Sequence, residues 1–226
     1  MAAACRKYGR GCRERWSSRR VVTDLNVDAA AQVAHALSVH AVETEFDYFT
    51  AVDDHKNEDA EEDAGAGMIG TVEFNSSTLY RYATVDVDAL LRNLGDLEAT
   101  ARAVEAFVRS FITSMPTGKQ NTFANRTLPD AIVVTVREDQ SVSLVGAFEE
   151  ALTSTASNGR VQAAVGALVA YAGEIGAAYG TAPIAVWTVG VGDRAAVLDE
   201  MAPRMSFDKL VPAVGGMVRD RLGSHR

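Results

Sequence analysis

The sequence predicts an α+β fold, because stretches with helical and with strand-like patterning are interleaved and the strands are few. Of its 226 residues, 47% are hydrophobic, 23% are charged and 7% are aromatic. This composition is typical of a globular protein and excludes collagen-like, disulfide-dense and wholly disordered classes. No uninterrupted apolar run reaches the roughly 18–20 residues of a membrane span. Two cysteines make no disulfide framework, so we expect a cytoplasmic protein with no membrane partner.

Charge divides the chain into two parts. The net charge is −8, yet residues 1–20 contain seven basic residues and one acid. This stretch has no helical or strand period and lacks the apolar segment of a signal peptide. Its composition is typical of a disordered leader, and an RNA-binding arm is the alternative. Residues 21–226 form the patterned body.

The first half of the body predicts a helix followed by strands. Ala-rich apolar spacing predicts a helix over Val27–Val42. Phe46–Val52 has the composition of a strand, and the acidic run Asp53–Asp63 predicts an exposed loop after it. Alternating β-branched and aromatic residues predict that Val72–Phe74 and Leu79–Val87 pair as a hairpin.

The second half predicts mainly helices. The predicted helices are Asp88–Leu94, Glu98–Ser114, Val142–Leu152, Val161–Tyr179 and Phe207–Leu222. Gly95 and Gly180 are the expected stops of two of them. Two apolar runs, Ala131–Val136 and Ile184–Val189, predict buried strands. A polar loop, Thr117–Pro129, separates the second helix from the first of these strands.

The sequence contains short patterns that resemble cofactor or metal sites, but their flanking elements or spacing do not fit such sites. Gly65–Gly70 spells G-x-G-x-x-G, but an acidic loop precedes it and a strand follows, the reverse of a dinucleotide site. On a helix, His35 and His40 would point about 140° apart and could not share a metal. No nucleophile elbow or phosphate-binding P-loop is present. We therefore expect no cofactor, no metal and no enzymatic activity.

Two segments are compatible with nucleic-acid binding, although residue type alone favours a structural role for each. Tyr48 and Phe49 lie beside the acidic loop, and an aromatic ring at the root of a protrusion can stack on a base, which gives roughly 1–3 kcal/mol per base. In the loop Gly118-Lys119-Gln120-Asn121-Thr122-Phe123, a lysine can reach a phosphate with the Gln and Asn amides as neutral partners. The alternatives are a packed strand and an ordinary surface loop.

Taken together, these segments resemble the backbone subunit of the type I-E CRISPR effector complex Cascade, the CasC family. The resemblance begins near Leu25 and continues through the C-terminal helix. The matching stretches are Asn26-Val27-Asp28, Val33-Ala34-His35-Ala36, His40, Asp47–Asp54, Glu73–Ser76, Tyr80–Ala83 and Gly118-Lys119-Gln120.

The resemblance implies an RRM-like (ferredoxin-like) palm with a thumb insertion at about residues 41–72. In that family several copies polymerise along one CRISPR RNA, and the thumb displaces nucleotides at regular intervals so that the segments between them pair with target DNA in antiviral defence. It implies RNA binding by the thumb residues Tyr48, Phe49, Thr50 and Val52, and by the palm residues Lys119 and Gln120. The implied partners are CRISPR RNA, target DNA through the guide, further copies and the other Cascade subunits.

The match also departs from the family. Its members begin with a strand and a basic palm helix, and neither is found before the match. This predicts an incomplete palm in an N-terminally truncated chain. Two alternatives stay open at this point: an inactive truncated remnant of the subunit, or an RNA-cleaving enzyme that uses the thumb aspartates Asp53 or Asp54.

Overall fold

The computed structural model describes residues 27–51, 68–118, 120–153 and 159–224. These residues form α-helices, 3₁₀ helices and strands that pair into four two-stranded antiparallel sheets. The predicted α+β class is confirmed. The basic leader, residues 1–20, and the acidic run, residues 53–63, lie outside the described residues, and the division into palm and thumb stays a prediction.

The segment after residue 27 forms strands where a helix was predicted. Strand β1 (Ala31–Val33) pairs with β6 (Ala83–Val85), and β2 (Leu37–Ser38) pairs with β5 (Leu79–Tyr80). The prediction of a helix over Val27–Val42 is wrong. Helix propensity is a weak preference, and here the main chain finds its hydrogen-bond partners in strands far downstream.

The turn after β2 is tied to its neighbours by a buried histidine. His40 Nδ1 donates to the Ala41 carbonyl at 2.7 Å, while its Nε2 accepts from the Thr78 N–H at 3.1 Å. Val39 is buried beside it, donates to the Thr78 carbonyl and accepts from Leu152 N–H at 2.9 Å. Both ring nitrogens are therefore used, which requires the neutral ring with its proton on Nδ1.

A third pair of strands is the longest in the first half. Strand β3 (Glu45–Ala51) is antiparallel to β4 (Met68–Phe74). The predicted strand Phe46–Val52 is confirmed as far as Ala51. The predicted hairpin is wrong, because Val72–Phe74 belongs to β4 and the residues after 79 pair with β2 and β1 instead.

Two predicted helices follow, and both are confirmed. Helix α1 (Val87–Leu94) begins where Asp86 Oδ1 accepts from the Ala89 N–H at 2.8 Å, and it ends at Gly95, which has a left-handed φ of 69°. Helix α2 (Leu97–Thr113) is capped in the same way by Asp96, whose Oδ1 accepts from the Ala99 N–H at 2.6 Å. A short helix, α3 (Gln120–Phe123), interrupts the predicted polar loop.

The centre of the second half is a two-stranded sheet with helices on both faces. Strand β7 (Ala131–Val136) pairs with β8 (Ala185–Gly190), which confirms both predicted strands. Val134 and its partner Trp187 face one side, and Ala131 and Val133 face the other. A strand with apolar residues on both faces is expected when both faces are covered.

Each face of this sheet has its own helical layer. Helices α2 and α5 (Phe207–Ser224) cover the Trp187 face with a buried cluster of Ala101, Val104, Leu210, Val211, Val214, Val218 and Leu222. Helix α4 (Gly159–Tyr179) and the 3₁₀ helix Asp193–Glu200 cover the other face with Val165, Val169, Ala195 and Leu198. The predicted helices that became α4 and α5 are confirmed.

The predicted helix Val142–Leu152 is wrong. Only a 3₁₀ helix, Val145–Phe148, forms there. The Leu144 N–H donates to the Tyr80 hydroxyl at 3.0 Å. The Leu152 N–H donates to the Val39 carbonyl, in the turn after β2, instead of to a carbonyl four residues earlier. These contacts to distant residues replace the local hydrogen bonds that a helix needs.

Among the described residues, α4 is long and apolar enough to cross a membrane by length and composition alone, with a mean hydropathy of 1.3. Core helices of globular proteins pass the same test. Here Val165 and Val169 are buried in the cluster that α4 forms with the 3₁₀ helix Asp193–Glu200, and Glu174 lies exposed on the helix.

Candidate nucleic-acid interface

The β3–β4 pair forms an arm, defined by Glu45–Ala51 and Met68–Phe74. Its register runs without a bulge from Glu45 opposite Phe74 to Ala51 opposite Met68. Every β3 side chain from Glu45 to Thr50 is exposed. Because successive side chains point to opposite faces of a strand, the arm has two chemically distinct faces.

The outer face of the arm carries two accessible aromatic rings. Phe46, Tyr48 and Thr50 lie on it, opposite Glu73 and Thr71 of β4. Phe46 is 59% exposed and Tyr48 is 73% exposed. Exposed large rings on neighbouring positions of one face are surfaces on which a flat partner such as a base can stack.

The inner face of the arm holds Phe49 against a glycine. Phe49 is paired with Gly70, and a Cβ on that glycine would lie 2.6 Å from Cε1 of the ring. The ring therefore crosses the partner strand where only glycine leaves room. The structure thus places Tyr48 and Thr50 on one face and Phe49 on the other, while Val52 lies outside the described residues.

An aromatic contact joins the arm to the polar loop. The ring of Phe74, at the end of β4, lies 4.4 Å from that of Phe123 in α3, tilted by 32°. Gln120 is on the same short helix and is partly buried. The strand paired with β3 and the polar loop therefore contact each other at the base of the arm, where Phe74 is paired with Glu45. Lys119, predicted beside Gln120, lies outside the described residues.

A small cavity opens next to Gln120. Its volume is about 170 Å³. Its lining contains neither a carboxylate nor an aromatic ring, and consists of Thr113, Met115, Pro116, Thr117, Gln120, Asn125, Arg126 and Thr127. Among the described residues of this lining, the only charged side chain is the guanidinium of Arg126, which can attract an anionic group.

A strained turn shapes this cavity, hereafter the Arg126 cavity. Helix α3 ends where the Ala124 N–H bonds to the Gln120 carbonyl at 3.0 Å. Ala124 has a φ of 49°, in the left-handed region where helices usually place glycine. The turn directs the next two side chains, Asn125 and Arg126, to the cavity wall.

Two arginines, Arg81 and Arg126, lie at or beside the Arg126 cavity, although their residue pattern alone did not predict a site. Arg126 donates to Gln120 Oε1 at 3.5 Å. The Arg81 guanidinium lies 4.5 Å above the Phe111 ring and donates to the Ser114 carbonyl at 3.2 Å, next to the cavity. Their position in the sequence carries a weak signal, because Arg126 shares its polar loop with Lys119 and Arg81 lies within Tyr80–Ala83.

Strong ion pairs lie in the helical scaffold instead. Arg219 on α5 donates to Glu98 at 2.8 Å and to Glu105 at 3.0 Å, both on α2. The hydrogen bond from Arg219 lowers the pKa of Glu98, and the reciprocal bonds to Glu98 and Glu105 raise the pKa of Arg219. These pairs hold α2, which ends at the cavity, against α5.

Acidic and histidine side chains do not gather into a metal site in the part of the chain that the structure describes: no three such ligands are close enough to hold one ion. The predicted alternative aspartates, Asp53 and Asp54, lie outside that part.

Two solved structures match this geometry over most of the chain. One, described as a "CRISPR RNA-guided surveillance complex, pre-nicking", is 36% identical, with a TM-score of 0.76 over 85% of this chain and 51% of that one. Another, a "CRISPR RNA-guided surveillance complex", is also 36% identical, with a TM-score of 0.74 over 92% of this chain and 75% of that one. The chain thus spans about half the length of the first and three quarters of the second.

These matches define the class as CRISPR-associated proteins of the Cascade type, which confirms the resemblance at that level. The particular family follows from the sequence: the model of the CT1975-like protein family matches residues 20–213, so the chain belongs to that family. No curated protein matches the sequence. The type I-E subtype stays a prediction.

Proposed function

We propose that this chain is a non-catalytic subunit of a CRISPR RNA-guided effector complex of type I-E, and that it binds CRISPR RNA along its backbone. The match to surveillance-complex chains supports the broader class. The observation that carries RNA binding is the arm with exposed aromatic rings, whose base contacts the helix α3 that also lines the Arg126 cavity. The palm of this proposal is the β7–β8 sheet with its helical layers, and the thumb is the arm.

The two parts of the interface supply different interactions. Tyr48 and Phe46 offer ring faces on which bases of any sequence can stack. Arg126, Gln120 and the threonines of the cavity offer donors to phosphate and sugar. An arm that separates bases while a palm holds the backbone kinks the RNA at the arm, and regular copies would kink it at regular intervals.

The acidity of the chain is compatible with this role. A net charge of −8 argues against tight binding by one free copy. Copies that assemble along one RNA, together with the other Cascade subunits, add their weak contacts through a high effective concentration. Sequence recognition of target DNA then belongs to base pairing with the guide. We place this assembly in the cytoplasm, in antiviral defence.

Binding of single-stranded RNA is the direct test. The full chain is titrated against fluorescent RNA of a CRISPR repeat and spacer, alone and with the other Cascade subunits. We expect affinity that falls with salt and is indifferent to sequence. Tyr48→Ala is expected to weaken binding by roughly 5- to 150-fold, since stacking is worth about 1–3 kcal/mol per base.

Tyr179→Ala is the matched control, because Tyr179 is 76% exposed but lies at the end of α4. It is expected to bind as the unchanged chain does. Absence of RNA binding at low salt, even with the other subunits, would leave the inactive remnant as the better description. Magnesium-dependent RNA cleavage that is lost in Asp54→Ala would instead favour the enzyme.

A further inference from the structure

The Arg126 cavity has a wall suited to a sugar–phosphate unit and unsuited to a base. It contains no aromatic ring on which a base could stack, and its lining is mainly hydroxyl, amide and guanidinium groups. At about 170 Å³ it is smaller than the roughly 300–1,000 Å³ typical of pockets for drug-sized ligands. One ribose with its phosphate is a ligand of suitable chemistry and size.

The side-chain oxygen of Asn125, a residue that lines this cavity, is a hydrogen-bond acceptor that receives no hydrogen bond from the described part of the chain. Its Oδ1 is buried and has no hydrogen-bond partner among the residues that the structure describes. A buried acceptor left without a donor is destabilising. Because Asn125 also lines the cavity, its oxygen can gain a donor from a bound molecule once the amide turns towards the opening.

The turn that carries Asn125 is itself strained. Ala124 keeps a left-handed φ of 49° without being glycine. Non-glycine residues in such conformations cluster at ligand sites, where the surrounding structure holds them in place. The strained turn and the unpartnered oxygen are independent observations at adjacent residues.

Arg126 supplies the complementary charge. In the described part of the chain no carboxylate pairs with its guanidinium, and the bond to Gln120 at 3.5 Å is long. An exposed arginine of this kind is available for a phosphate, which it can bind through two parallel N–H groups.

We propose that the Arg126 cavity binds the ribose–phosphate backbone of single-stranded RNA and distinguishes RNA from DNA, with Asn125 Oδ1 accepting from a ribose 2′-hydroxyl and Arg126 donating to the adjacent phosphate. This rests on the proposed function and deepens it. DNA lacks the 2′-hydroxyl, so it cannot supply the donor that Asn125 needs. The preference is independent of base identity.

The test compares three oligonucleotides of one sequence against the full chain by fluorescence anisotropy at fixed salt: RNA, DNA and 2′-fluoro RNA. The 2′-fluoro group keeps an RNA-like sugar but cannot donate. We expect RNA to bind roughly five- to tenfold more tightly than the other two, the effect of one hydrogen bond. This comparison needs no variant, so it stands even where a variant fails to fold.

Variants then separate the two residues. Asn125→Ala is expected to lower RNA affinity to that of DNA and to leave DNA binding unchanged. Gln140→Ala is the control, because Gln140 is an exposed amide after β7 and does not line the cavity. Arg126→Gln is expected to weaken RNA and DNA alike and to reduce the salt slope by about 0.7.

Arg102→Gln controls for lost charge, since Arg102 is 69% exposed and lies eleven residues from Thr113 on the same helix, about 16 Å along it. Equal affinity for all three oligonucleotides overturns the inference and leaves RNA binding standing. Absence of any binding at low salt, also when the other Cascade subunits are added, overturns the proposed function and this inference with it.

Discussion

Replacing Gly70 by alanine tests whether the Phe49 ring is held across the arm as the structure shows it. The added Cβ would lie 2.6 Å from Cε1 of Phe49, whereas ordinary contacts begin at 3.4 Å. Because Cζ of the ring lies closer still, the ring must retreat by about 1 Å, and an aromatic side chain forced off its preferred torsion loses about 0.5–1.5 kcal/mol. The strand itself gains about 0.5–1 kcal/mol from alanine, because glycine loses more entropy on folding.

When Phe49 is present, the strain on its ring and the stabilisation from alanine nearly cancel in Gly70→Ala. A double-mutant cycle separates these two contributions. With Phe49→Ala as background, Gly70→Ala meets no ring and is expected to stabilise the protein by about 0.5–1 kcal/mol. The coupling between the two sites should thus be about 1 kcal/mol, measured by urea unfolding of all four chains. Equal effects of Gly70→Ala in both backgrounds would show that Phe49 does not lie on Gly70 and would refute the inner face described above.

Three further predictions concern the scaffold that positions the interface. Asp96→Ala removes the cap of α2 and is expected to lower the free energy of unfolding by about 1 kcal/mol, measured in urea, with Asp96→Asn nearly unchanged. Leu210→Ala in the fully buried α2–α5 cluster is expected to lower it by about 2–5 kcal/mol; a loss under 1 kcal/mol would contradict the packing. The Glu98 pKa is lowered in the folded protein, so its pairing with Arg219 stabilises the fold above the ordinary pKa of 4.5 and this contribution is lost as pH falls through the lowered value. The difference in free energy of unfolding between the unchanged chain and Arg219→Gln should therefore shrink from pH 7 to pH 3. A difference that stays constant would show that the ionised Glu98–Arg219 pair does not stabilise the fold.

Elements with strong local signals were predictable from the sequence. Helices α1 and α2 each begin at an aspartate whose side chain accepts from the first turn, and Gly95 ends the first of them. The run Ala131–Val136 is apolar throughout and became a strand covered on both faces. In these cases the determining interactions lie within a few residues, so a single sequence contains them.

Pairing partners could not be predicted in the same way. Alternation along Leu79–Val87 correctly indicated strands, but it says nothing about which strand lies beside them. Only the folded chain brings β5 to Leu37–Ser38 and β6 to Ala31–Val33. Because the Ala-rich segment Val27–Val42 pairs with these distant strands, it forms strands and not the predicted helix.

The candidate site shows the same division. The aromatic segment with Tyr48 and Phe49 and the polar loop with Gln120 were selected from residue type alone. The Arg126 cavity lies within residues 113–127, and the Phe74–Phe123 contact joins that stretch to a strand about fifty residues earlier in the chain. The RNA-binding roles of all the predicted residues remain predictions, and Val52 and Lys119 also lie outside the described residues.

By itself the sequence determined the ends of α1 and α2, the apolar strands β7 and β8 and the kinship with Cascade subunits, since caps, apolar runs and short motifs act over neighbouring residues. The tertiary structure decided which strands pair, which residue of β4 lies opposite each ring of the arm and that the Phe74 ring contacts the Phe123 ring. These depend on contacts between residues far apart in the chain, whose free energy is realised only once the whole fold has closed around them.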